Sequence, residues 1–353
     1  MAAPCVRYVR DMSAGEESAG EPVPDVGWGI LAPGRIARGF ARNLRDVPGA
    51  RVAAVGSRTQ ERAERFAAEY GDEGTHVHGS YEALVGDPQV DVVYVASPHT
   101  LHLAHAGLAL KAGKPVLCEK PLTVNAGEAD ELVGLARERG LFLMEAMWLA
   151  CHPVIRAVRE VLDSGRLGTP RQVHADLGFV VEAGPADRLR DPALGAGALL
   201  DMGIYPLTLA HLMLGPAETS VGAAVLDASG FDLDVAVASR HAGGSVAALT
   251  ASMSAASPRS ATIATDRGRI ELPAPFHHAP YAVWHPTAGE PERIDGIEPL
   301  LGTGLGNEAA HVMACLREGL TESPLVPHAQ SLAILRQMDG LRAQLGVRYA
   351  ADG

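Results

Sequence analysis

GKPVLCEKPL, residues 113–122, is the segment of this chain that says most about its architecture. Val116, Leu117 and Cys118 form a short apolar run with glycine or proline on both sides, so the run predicts a short inner strand. In an open parallel sheet, groups that follow the carboxyl ends of strands face the crevice where ligands bind. Lys120 follows this strand, and we expect its ammonium group to face such a crevice. A surface lysine in a turn is the alternative.

Strand-like and helix-like segments alternate along the first half of the chain. Apolar runs predict strands, and helical patterns lie between them: strands at 26–31, 51–56, 90–96, 116–118 and 141–146, helices at 35–45, 61–70, 102–112 and 125–139. This alternation indicates a parallel sheet with right-handed crossovers. We therefore predict an α/β fold with an N-terminal domain over 25–148. Residues 1–24, polar and without periodicity, are expected to form a flexible extension.

The pattern changes after residue 148. The predicted elements are a helix at 153–164, a strand at 172–181, a helix at 198–214, and strands at 220–226, 232–240, 245–252, 261–265 and 269–272. This order indicates an antiparallel or mixed sheet backed by helices, an α+β arrangement, in a second domain over 149–353. An amphipathic helix at 329–345 closes the chain, and we expect it to pack back on the first domain.

Composition limits the class of partner. The chain has 353 residues and a formal net charge of −12, whereas a surface that binds a nucleic-acid backbone needs clustered Lys and Arg. We therefore expect no nucleic-acid partner. No apolar run approaches the roughly 18 residues that span a bilayer, and no secretory signal is visible, so no membrane partner is expected either.

Cysteine and histidine spacing gives no metal motif. The four cysteines lie far apart without CxxC spacing, which argues against a structural zinc site and a disulfide framework and favours a reducing cytoplasm. A metal-dependent or hydrolytic enzyme could use His277 and His278. Adjacent histidines on an extended segment point to opposite sides, however, and no third ligand is spaced near them. We expect no metal.

GILAPGRIA, residues 29–37, follows the first predicted strand and opens the first predicted helix. A dinucleotide fingerprint belongs at this place, because a pyrophosphate needs close backbone approach at a helix N-terminus. Aligned to G-x-G-x-x-G, the three positions are Ala32, Gly34 and Ala37, so only the middle glycine is kept. An ordinary strand-to-helix turn is the alternative. The cofactor-binding candidates of this turn are Ala32, Gly34, Arg35 and Ile36.

The end of the second predicted strand bears on the choice of cofactor. A carboxylate there bonds the ribose of NAD, whereas an arginine accommodates the 2′-phosphate of NADP. The chain has Ser57, Arg58 and Thr59 at this place and no acid. The planar guanidinium of Arg58 can grip a phosphate, and the neighbouring hydroxyl groups can donate to it. We therefore expect NADP rather than NAD; a solvated arginine at a helix start is the alternative.

Several separated motifs occur in the order found in one protein family. They are the GILAPGRIA turn, Ser57-Arg58, Ser97-Pro98-His99 with His102, Glu119-Lys120-Pro121, and ALLDMGIYP at 198–206. From Val26 onward the chain resembles the Gfo/Idh/MocA oxidoreductases, named for glucose–fructose oxidoreductase and inositol dehydrogenase. FLMEAMW (142–148) and SLAILRQMDGLRAQLGVRY (331–349) are most similar to the dihydrodiol dehydrogenase and xylose dehydrogenase branch. The combination of EKP with D-x-G-x-Y is more specific than any single motif.

The resemblance implies a Rossmann domain followed by an α+β domain whose large open, mostly antiparallel sheet forms a homodimer interface. It also implies an NAD(P)-dependent enzyme that transfers hydride between a nicotinamide cofactor and a hydroxyl or carbonyl carbon of a sugar, polyol or cyclic dihydrodiol. Cofactor contacts are expected from Ser97, Pro98, His99, His102, Glu119 and Lys120. For His99 and His102 the alternative is a hydrogen-bonded structural role.

Three residues carry the expected chemistry. Lys120 matches the lysine of EKP, and Asp201 and Tyr205 match the family's D-x-G-x-H/Y element. Residues four apart lie on one helical face, so Asp201 and Tyr205 can point at the same cleft. Hydride can leave a carbinol carbon only if the hydroxyl proton is removed in step. We expect Tyr205 to transfer this proton, with its phenol pKa lowered by Lys120; Lys120 as the base is the alternative.

Some positions depart from the family's pattern. They are Ala32 for glycine, Leu149-Ala150-Cys151 for a Thr-Arg-Phe-like segment, Arg190 for a large apolar residue, and Ala196 for glycine. Such changes would suit an NADP-binding sensor or co-regulator that has lost catalysis on the same fold. The retained lysine, aspartate and tyrosine favour an enzyme instead.

Overall fold

Six parallel strands form the first sheet of the computed structural model, which describes residues 25–182, 184 and 188–352. The strands lie in the order β3-β2-β1-β4-β5-β6. Their bounds are β1 Val26–Leu31, β2 Ala50–Gly56, β3 His76–His78, β4 Val92–Val95, β5 Val116–Glu119 and β6 Leu143–Ala146. The chain order reverses between β1 and β4, where an open α/β sheet forms a ligand crevice at its carboxyl edge. The expected flexible extension, 1–24, lies outside the described residues.

Five helices connect these strands: α1 Arg35–Leu44, α2 Gln60–Tyr70, α3 Tyr81–Val85, α4 His102–Lys111 and α5 Ala126–Arg139. The sheet is buried on both faces, as the nearly continuous apolar strands predict. In β4, Val92 and Tyr94 join the core cluster that contains α1, whereas Val93 and Val95 join the cluster that contains α4. The predicted parallel α/β sheet is confirmed.

Eight strands form the second sheet, in the order β14-β13-β12-β11-β7-β10-β9-β8. Their bounds are β7 Pro170–Gly178, β8 Ala217–Leu226, β9 Asp232–His241, β10 Ser245–Ser252, β11 Ala261–Thr265, β12 Gly268–Leu272, β13 Ala282–Pro286 and β14 Glu292–Ile294. Only β10 and β7 pair in parallel, and the other neighbours are antiparallel. The sheet is therefore mixed and mostly antiparallel, which confirms the predicted fold class.

The remaining helices are α6 Trp148–Cys151, α7 Pro153–Asp163, α8 Ile204–Leu214, α9 Leu305–Arg317 and α10 His328–Leu345. A π-helical turn, Leu199–Gly203, runs directly into α8. The closing helix α10 reaches elements of the first sheet as well as β8. Arg336 pairs with Asp130 of α5 at 3.1 Å, and Arg342 donates to the carbonyl oxygen of Val124 at 3.2 Å.

Sequence patterns missed several elements. The missed elements are β3, α3, α6, β13, β14 and α9. The strands among them have three to five residues, which is too short for a clear alternation. α9 is longer, but its buried positions include Asn307, Glu308 and His311, so its apolar period is broken.

Among the described residues, one helical stretch has the length and composition of a membrane span. Pro192–Leu214 covers 23 residues, and its most apolar window has a mean hydropathy of 1.4. Within the protein, 89% of that window is buried. A core helix of a globular domain meets the same criteria, and α8 packs here against β7 and β10 of the second sheet.

Candidate active site

A cleft of about 1430 Å³ lies at the carboxyl ends of the strands of the first sheet. The turns that follow β1, β2, β4 and β5 form one wall, and the π-helical turn before α8 and residues 275–278 form the other. Most small-molecule pockets measure roughly 300–1,000 Å³, so this cleft has room for a dinucleotide beside a small substrate. The residues that line it come from both halves of the chain.

Lys120 and Asp201 meet in this cleft. Lys120 Nζ donates to the carbonyl oxygen of Asp201 at 2.7 Å and to its Oδ1 at 3.2 Å. Burial alone would lower the pKa of Lys120, but the Asp201 carboxylate raises it above its ordinary value. Burial alone would raise the pKa of Asp201, but Lys120 and Arg188 hold it well below its ordinary range. Both groups are therefore charged at neutral pH.

The sequence around Asp201 explains why its carbonyl oxygen is available to Lys120. In a π-helical turn a carbonyl accepts from the amide five residues later. Five residues after Asp201 stands Pro206, which has no N–H to donate. The ammonium group of Lys120 donates to this carbonyl instead. Pro206 therefore removes one backbone donor for this carbonyl, and the lysine donates to it.

Tyr205 lies beside the lysine, on the same helical segment as Asp201. Lys120 Nζ is 5.0 Å from the centroid of the Tyr205 ring, and Trp148 Nε1 donates to Tyr205 Oη at 2.9 Å. Burial raises the pKa of Tyr205 to about 12, because it outweighs the opposing effect of the Lys120 ammonium group. The expectation of a lowered phenol pKa is therefore wrong: the lysine acts in the expected direction, but desolvation is stronger.

Arg188 is a cleft residue that sequence reasoning missed. Its Nη2 donates to Asp201 Oδ1 at 3.2 Å, and its Nη1 lies 3.4 Å from His99 Nε2. It therefore adds a second cation to the Lys120–Asp201 pair. The available signal was a cationic residue shortly before ALLDMGIYP, in a segment otherwise read only for its departures.

Glu119 holds the end of β5 in place. Tyr94 Oη donates to Glu119 Oε1, and the backbone amide of Lys120 donates to Oε2 at 3.2 Å. The Tyr94 ring is itself stacked on Phe40, with centroids 3.9 Å apart. Burial raises the pKa of Glu119. Glu119 lines the cleft as a buried support of the strand end that carries Lys120.

The turn after β1 has the shape that a pyrophosphate requires. Gly34 precedes α1 and lies on the cleft wall with Ala32, Arg35 and Ile36. A Cβ added to Gly34 would meet only the carbonyl oxygen of Ala32, at 3.8 Å, so the space beside it is open to a ligand. Ala32 has a φ of 65°, a left-handed conformation that costs a non-glycine residue about 1 kcal/mol. The residues present thus fit a dinucleotide.

Cationic side chains surround the turn after β2. Ser57 and Arg58 line the cleft as the sequence predicted, together with three arginines that it did not single out. These are Arg38, Arg62 and Arg65. Arg62 and Arg65 lie three positions apart on α2, shortly after Arg58, and this spacing is the signal that could have revealed these two. This end of the cleft suits a phosphate group.

The turn after β4 contributes three of the four residues expected there. Ser97, Pro98 and His99 line the cleft, and Ser97 Oγ is buried without a protein partner. His99 Nδ1 lies 3.2 Å from the carbonyl oxygen of Gly195. His102 is instead fully buried, with its ring nitrogens 2.8 and 2.9 Å from the carbonyl oxygens of Pro121 and Ser97. The expectation of a direct cofactor contact from His102 does not fit this position, and a structural role does.

His277 and His278 also line the cleft. They lie in a short 3₁₀ turn rather than on an extended segment, so the expectation that they point to opposite sides is wrong. The centroid of the His277 ring is 5.0 Å from that of Tyr205, and the His278 ring is stacked on Trp148. Burial lowers the pKa of His277 to about 3, so this ring is neutral at physiological pH.

Three of the departures from the family's pattern can now be located in the structure. Leu149-Ala150-Cys151 is buried in α6 and places no side chain in the cleft. Arg190 donates to the carbonyl oxygen of Val181 at 3.0 Å, and the carbonyl oxygen of Ala196 accepts from Tyr349 Oη at 2.6 Å.

Family models match most of the chain. Residues 26–147 match the oxidoreductase family with an NAD-binding Rossmann fold, and residues 155–271 match the GFO/IDH/MocA C-terminal domain. The chain belongs to the Gfo/Idh/MocA family of NAD(P)-dependent oxidoreductases, which confirms the predicted resemblance and the predicted class of enzyme.

Curated relatives place the chain near one branch of this family. It is 36% identical over 339 residues to the trans-1,2-dihydrobenzene-1,2-diol dehydrogenase of Mus musculus, an alignment that covers 92% of this chain and 98% of that protein. It is 35% identical over 336 residues to the same enzyme of Xenopus laevis, covering 91% and 98%.

Solved structures share the whole architecture. A 3-ketoreductase from Actinomadura kijaniata, in complex with NADP and TDP-benzene, is 29% identical with a TM-score of 0.80, over 91% of this chain and 98% of that one. The aldose-aldose oxidoreductase from Caulobacter crescentus, at 22% identity, has a TM-score of 0.82 over the same shares of the two chains and supports the fold alone.

Proposed function

We propose that this protein is an NADP(H)-dependent dehydrogenase that interconverts a ring-borne vicinal diol, of a cyclic dihydrodiol or a sugar, and the corresponding hydroxyketone. The observation that carries the proposal is the meeting of Lys120, Asp201 and Tyr205 in one cleft with the phosphate-binding turn. The similarity to trans-dihydrodiol dehydrogenases and to a 3-ketoreductase supports this reaction class.

The preference for NADP rests on charge. Arg58 follows β2 at the place where NAD-specific proteins carry an acid, and three further arginines line the same end of the cleft. A 2′-phosphate brings about two negative charges to that end, and guanidinium groups bind phosphate through paired hydrogen bonds.

The chain's own groups would provide proton transfer and orientation. A bound nicotinamide supplies the hydride acceptor for oxidation and the hydride donor for reduction. The Tyr205 phenol, protonated at neutral pH, would donate its proton to the carbonyl oxygen in reduction; in oxidation, the phenolate that forms when this proton leaves to solvent would take the hydroxyl proton. Lys120, kept cationic by Asp201, orients the substrate oxygen and stabilises negative charge on it. Because its raised pKa keeps Lys120 protonated at neutral pH, we assign it orientation and charge stabilisation rather than proton uptake.

The aromatic wall beside the lysine suits a ring-shaped substrate. Tyr205, His277 and His278 present ring faces or edges to the cleft, with Trp148 packed behind them. Such a surface can stack on a cyclic substrate, while the cation of Arg188 can bond a second hydroxyl group.

Steady-state turnover tests the proposal. NADP⁺ reduction is measured with trans-dihydrodiols, cyclic polyols and aldopentoses, and NADPH oxidation with the matching ketones, for wild type and Tyr205→Phe. We expect turnover with at least one ring-borne diol and its loss in the variant. NADPH binding without turnover across the whole panel would overturn the enzymatic proposal and favour the sensor.

Three further parts of the proposal concern assembly, cellular location and domain organisation. The exposed face of the second sheet carries Val221, Val225 and Val246, which supports a homodimer through this face. The described cysteines are free and buried, which supports a reducing cytoplasm. A division into domains 25–148 and 149–353 is supported by the two separate sheets. Light scattering of wild type and Val221→Lys tests the dimer.

A further inference from the structure

Two histidines and an aspartate lie together outside the cleft, at the edge strand of the first sheet. His76 Nδ1 and His78 Nε2 are each 2.7 Å from the same oxygen, Oδ2 of Asp87. The three ligand-type atoms lie within 4.8 Å of one another. No spacing of cysteine or histidine in the sequence predicted a metal site at these residues.

The local fold explains this convergence. His76 and His78 are two residues apart on β3, and side chains at that spacing lie on the same face of a strand. Asp87 follows α3, and its side chain is only 2% exposed, whereas those of His76 and His78 are 45% and 22% exposed. The buried carboxylate is thus fixed, and the two imidazole rings can adjust.

The surroundings orient the carboxylate and one ring. The backbone amide of Gln89 donates to Asp87 Oδ1 at 2.8 Å, and Gln89 Nε2 lies 2.9 Å from His76 Nε2. Metal-binding histidines in general hold their second ring nitrogen through such a polar partner. Lys114 donates to the backbone carbonyl oxygens of Asp87 and Val90 rather than to the carboxylate of Asp87.

We propose that His76, His78 and Asp87 form a binding site for a divalent transition-metal ion of the zinc class, with water completing the coordination. Two imidazole nitrogens and one carboxylate oxygen, with an open side toward solvent, are a donor set that suits Zn²⁺ and does not suit Mg²⁺. In tetrahedral zinc sites the ligand atoms are about 3.4 Å apart, so the two rings need to retreat only slightly from Asp87.

The bound ion would stabilise the edge strand β3. β3 pairs with β2 alone, and the backbone amide of Ser57 donates to the carbonyl oxygen of His78 at 3.1 Å. A metal ion shared by β3 and the turn after α3 adds a second attachment for this short strand. Ligands that bind only the folded state stabilise it by mass action. We therefore expect Zn²⁺ to raise the melting temperature.

Zinc titration of the full chain tests the site. Isothermal calorimetry with ZnCl₂ and thermal melts with and without Zn²⁺ compare wild type with the double variant His76→Gln/His78→Gln. The control is His285→Gln, because His285 also faces one carboxylate, Glu271 at 3.1 Å, but has no second imidazole. We expect one zinc equivalent that the double variant binds at least about tenfold more weakly, as loss of a ligand implies, and that the control retains.

Several outcomes would overturn the proposal. Equal zinc affinity in wild type and double variant, or no zinc binding by wild type, would leave a cluster held by hydrogen bonds alone. An equal response to Mg²⁺ and Zn²⁺ would also contradict an imidazole site. If circular dichroism shows that the double variant does not fold, the exposed His76→Gln single variant is titrated, and the same weakening is required of it.

Discussion

Lys120 Nζ lies 3.2 Å from Asp201 Oδ1 and 2.7 Å from the carbonyl oxygen of the same residue. The lysine follows the last residue of β5 in the first sheet, and the aspartate stands in the turn that enters α8, a helix packed on the second sheet. Both side chains are about one-tenth exposed. Removal of one partner from such a buried pair lowers the free energy of unfolding by about 3–5 kcal/mol. This contact therefore stabilises the fold as well as supporting the proposed chemistry.

Lys120→Met should reduce turnover while the protein still binds NADPH. The substitution keeps the length of the side chain but removes the cation that orients the substrate oxygen, and the loss of acid–base or electrostatic help is worth about 10²–10⁴ in rate. kcat comes from initial rates and NADPH affinity from fluorescence titration. Lys111→Met, at the exposed end of α4, should behave like wild type. A wild-type kcat in Lys120→Met would remove the lysine from the mechanism.

The two directions of the reaction should differ in pH dependence. Since the pKa of Tyr205 is raised to about 12, the phenol is protonated throughout the neutral range and can donate in carbonyl reduction. kcat/KM for reduction should therefore stay level from about pH 6 to 9, whereas that for oxidation should rise with pH because the proton acceptor is scarce. Tyr205→Phe should lower both by about 10²-fold or more. A reduction rate that falls through this range would contradict a high phenol pKa.

Substitutions at the two small residues of the phosphate-binding turn, Gly34 and Ala32, should differ in their effect on NADPH affinity. Gly34→Ala adds a Cβ that meets only one protein atom, at 3.8 Å. The free energy of unfolding should therefore change by less than about 0.5 kcal/mol. That Cβ enters the open space of the cleft, and NADPH affinity should fall at least about tenfold, or 1.4 kcal/mol. Ala32→Gly relieves a positive φ and should keep both stability and affinity. Equal NADPH affinity in Gly34→Ala and wild type would place the pyrophosphate elsewhere.

Arg58→Ala should discriminate between the two cofactors. If the guanidinium binds the 2′-phosphate, NADPH loses a charge-assisted hydrogen bond worth about 1.5–3 kcal/mol, and NADH, which lacks that phosphate, loses little. Kd for both cofactors, measured on wild type and variant, gives the comparison. Arg137→Ala, in the last turn of α5, controls for net charge. An equal loss for NADPH and NADH would contradict the proposed phosphate contact.

Much of the first sheet was predictable because its signals are local. The run Val116–Cys118 between glycine and prolines marked β5, and strand-to-helix alternation gave the parallel order. The placement of Lys120 at the carboxyl edge followed from that order. The short strand His76–His78 has neither length nor apolar alternation, so a three-residue strand beside β2 could not be read from the chain.

The electrostatics of the site were less predictable, because they depend on burial rather than on sequence spacing. The neighbours of Tyr205 were partly foreseen, but the sign of its pKa shift depends on how fully the phenol is desolvated. Arg188 stands thirteen positions before Asp201, and its side chain donates to the Asp201 carboxylate. The segment between them has no helical or strand period from which this contact could be predicted. His277 and His278 join the same wall only because the chain folds into a 3₁₀ turn there.

Asp201→Asn should cost stability at neutral pH and less in acid. Folding lowers the pKa of this carboxyl, so its contribution is complete above the unfolded value of about 3.9, begins to decline below that value, and is lost only as the pH falls through the much lower folded value. The amide keeps the shape but leaves the Lys120 cation unpaired, a loss of about 3 kcal/mol near pH 7. Urea unfolding at pH 7, 5 and about 3.5 gives the free energy of unfolding of wild type and variant. The difference between the two should narrow only below about pH 4. Asp130→Asn, which removes an exposed pair with Arg336, should change stability by less than about 1 kcal/mol at every pH. A gap in the free energy of unfolding that does not narrow at all below pH 4 would contradict a contribution from the ionised carboxylate.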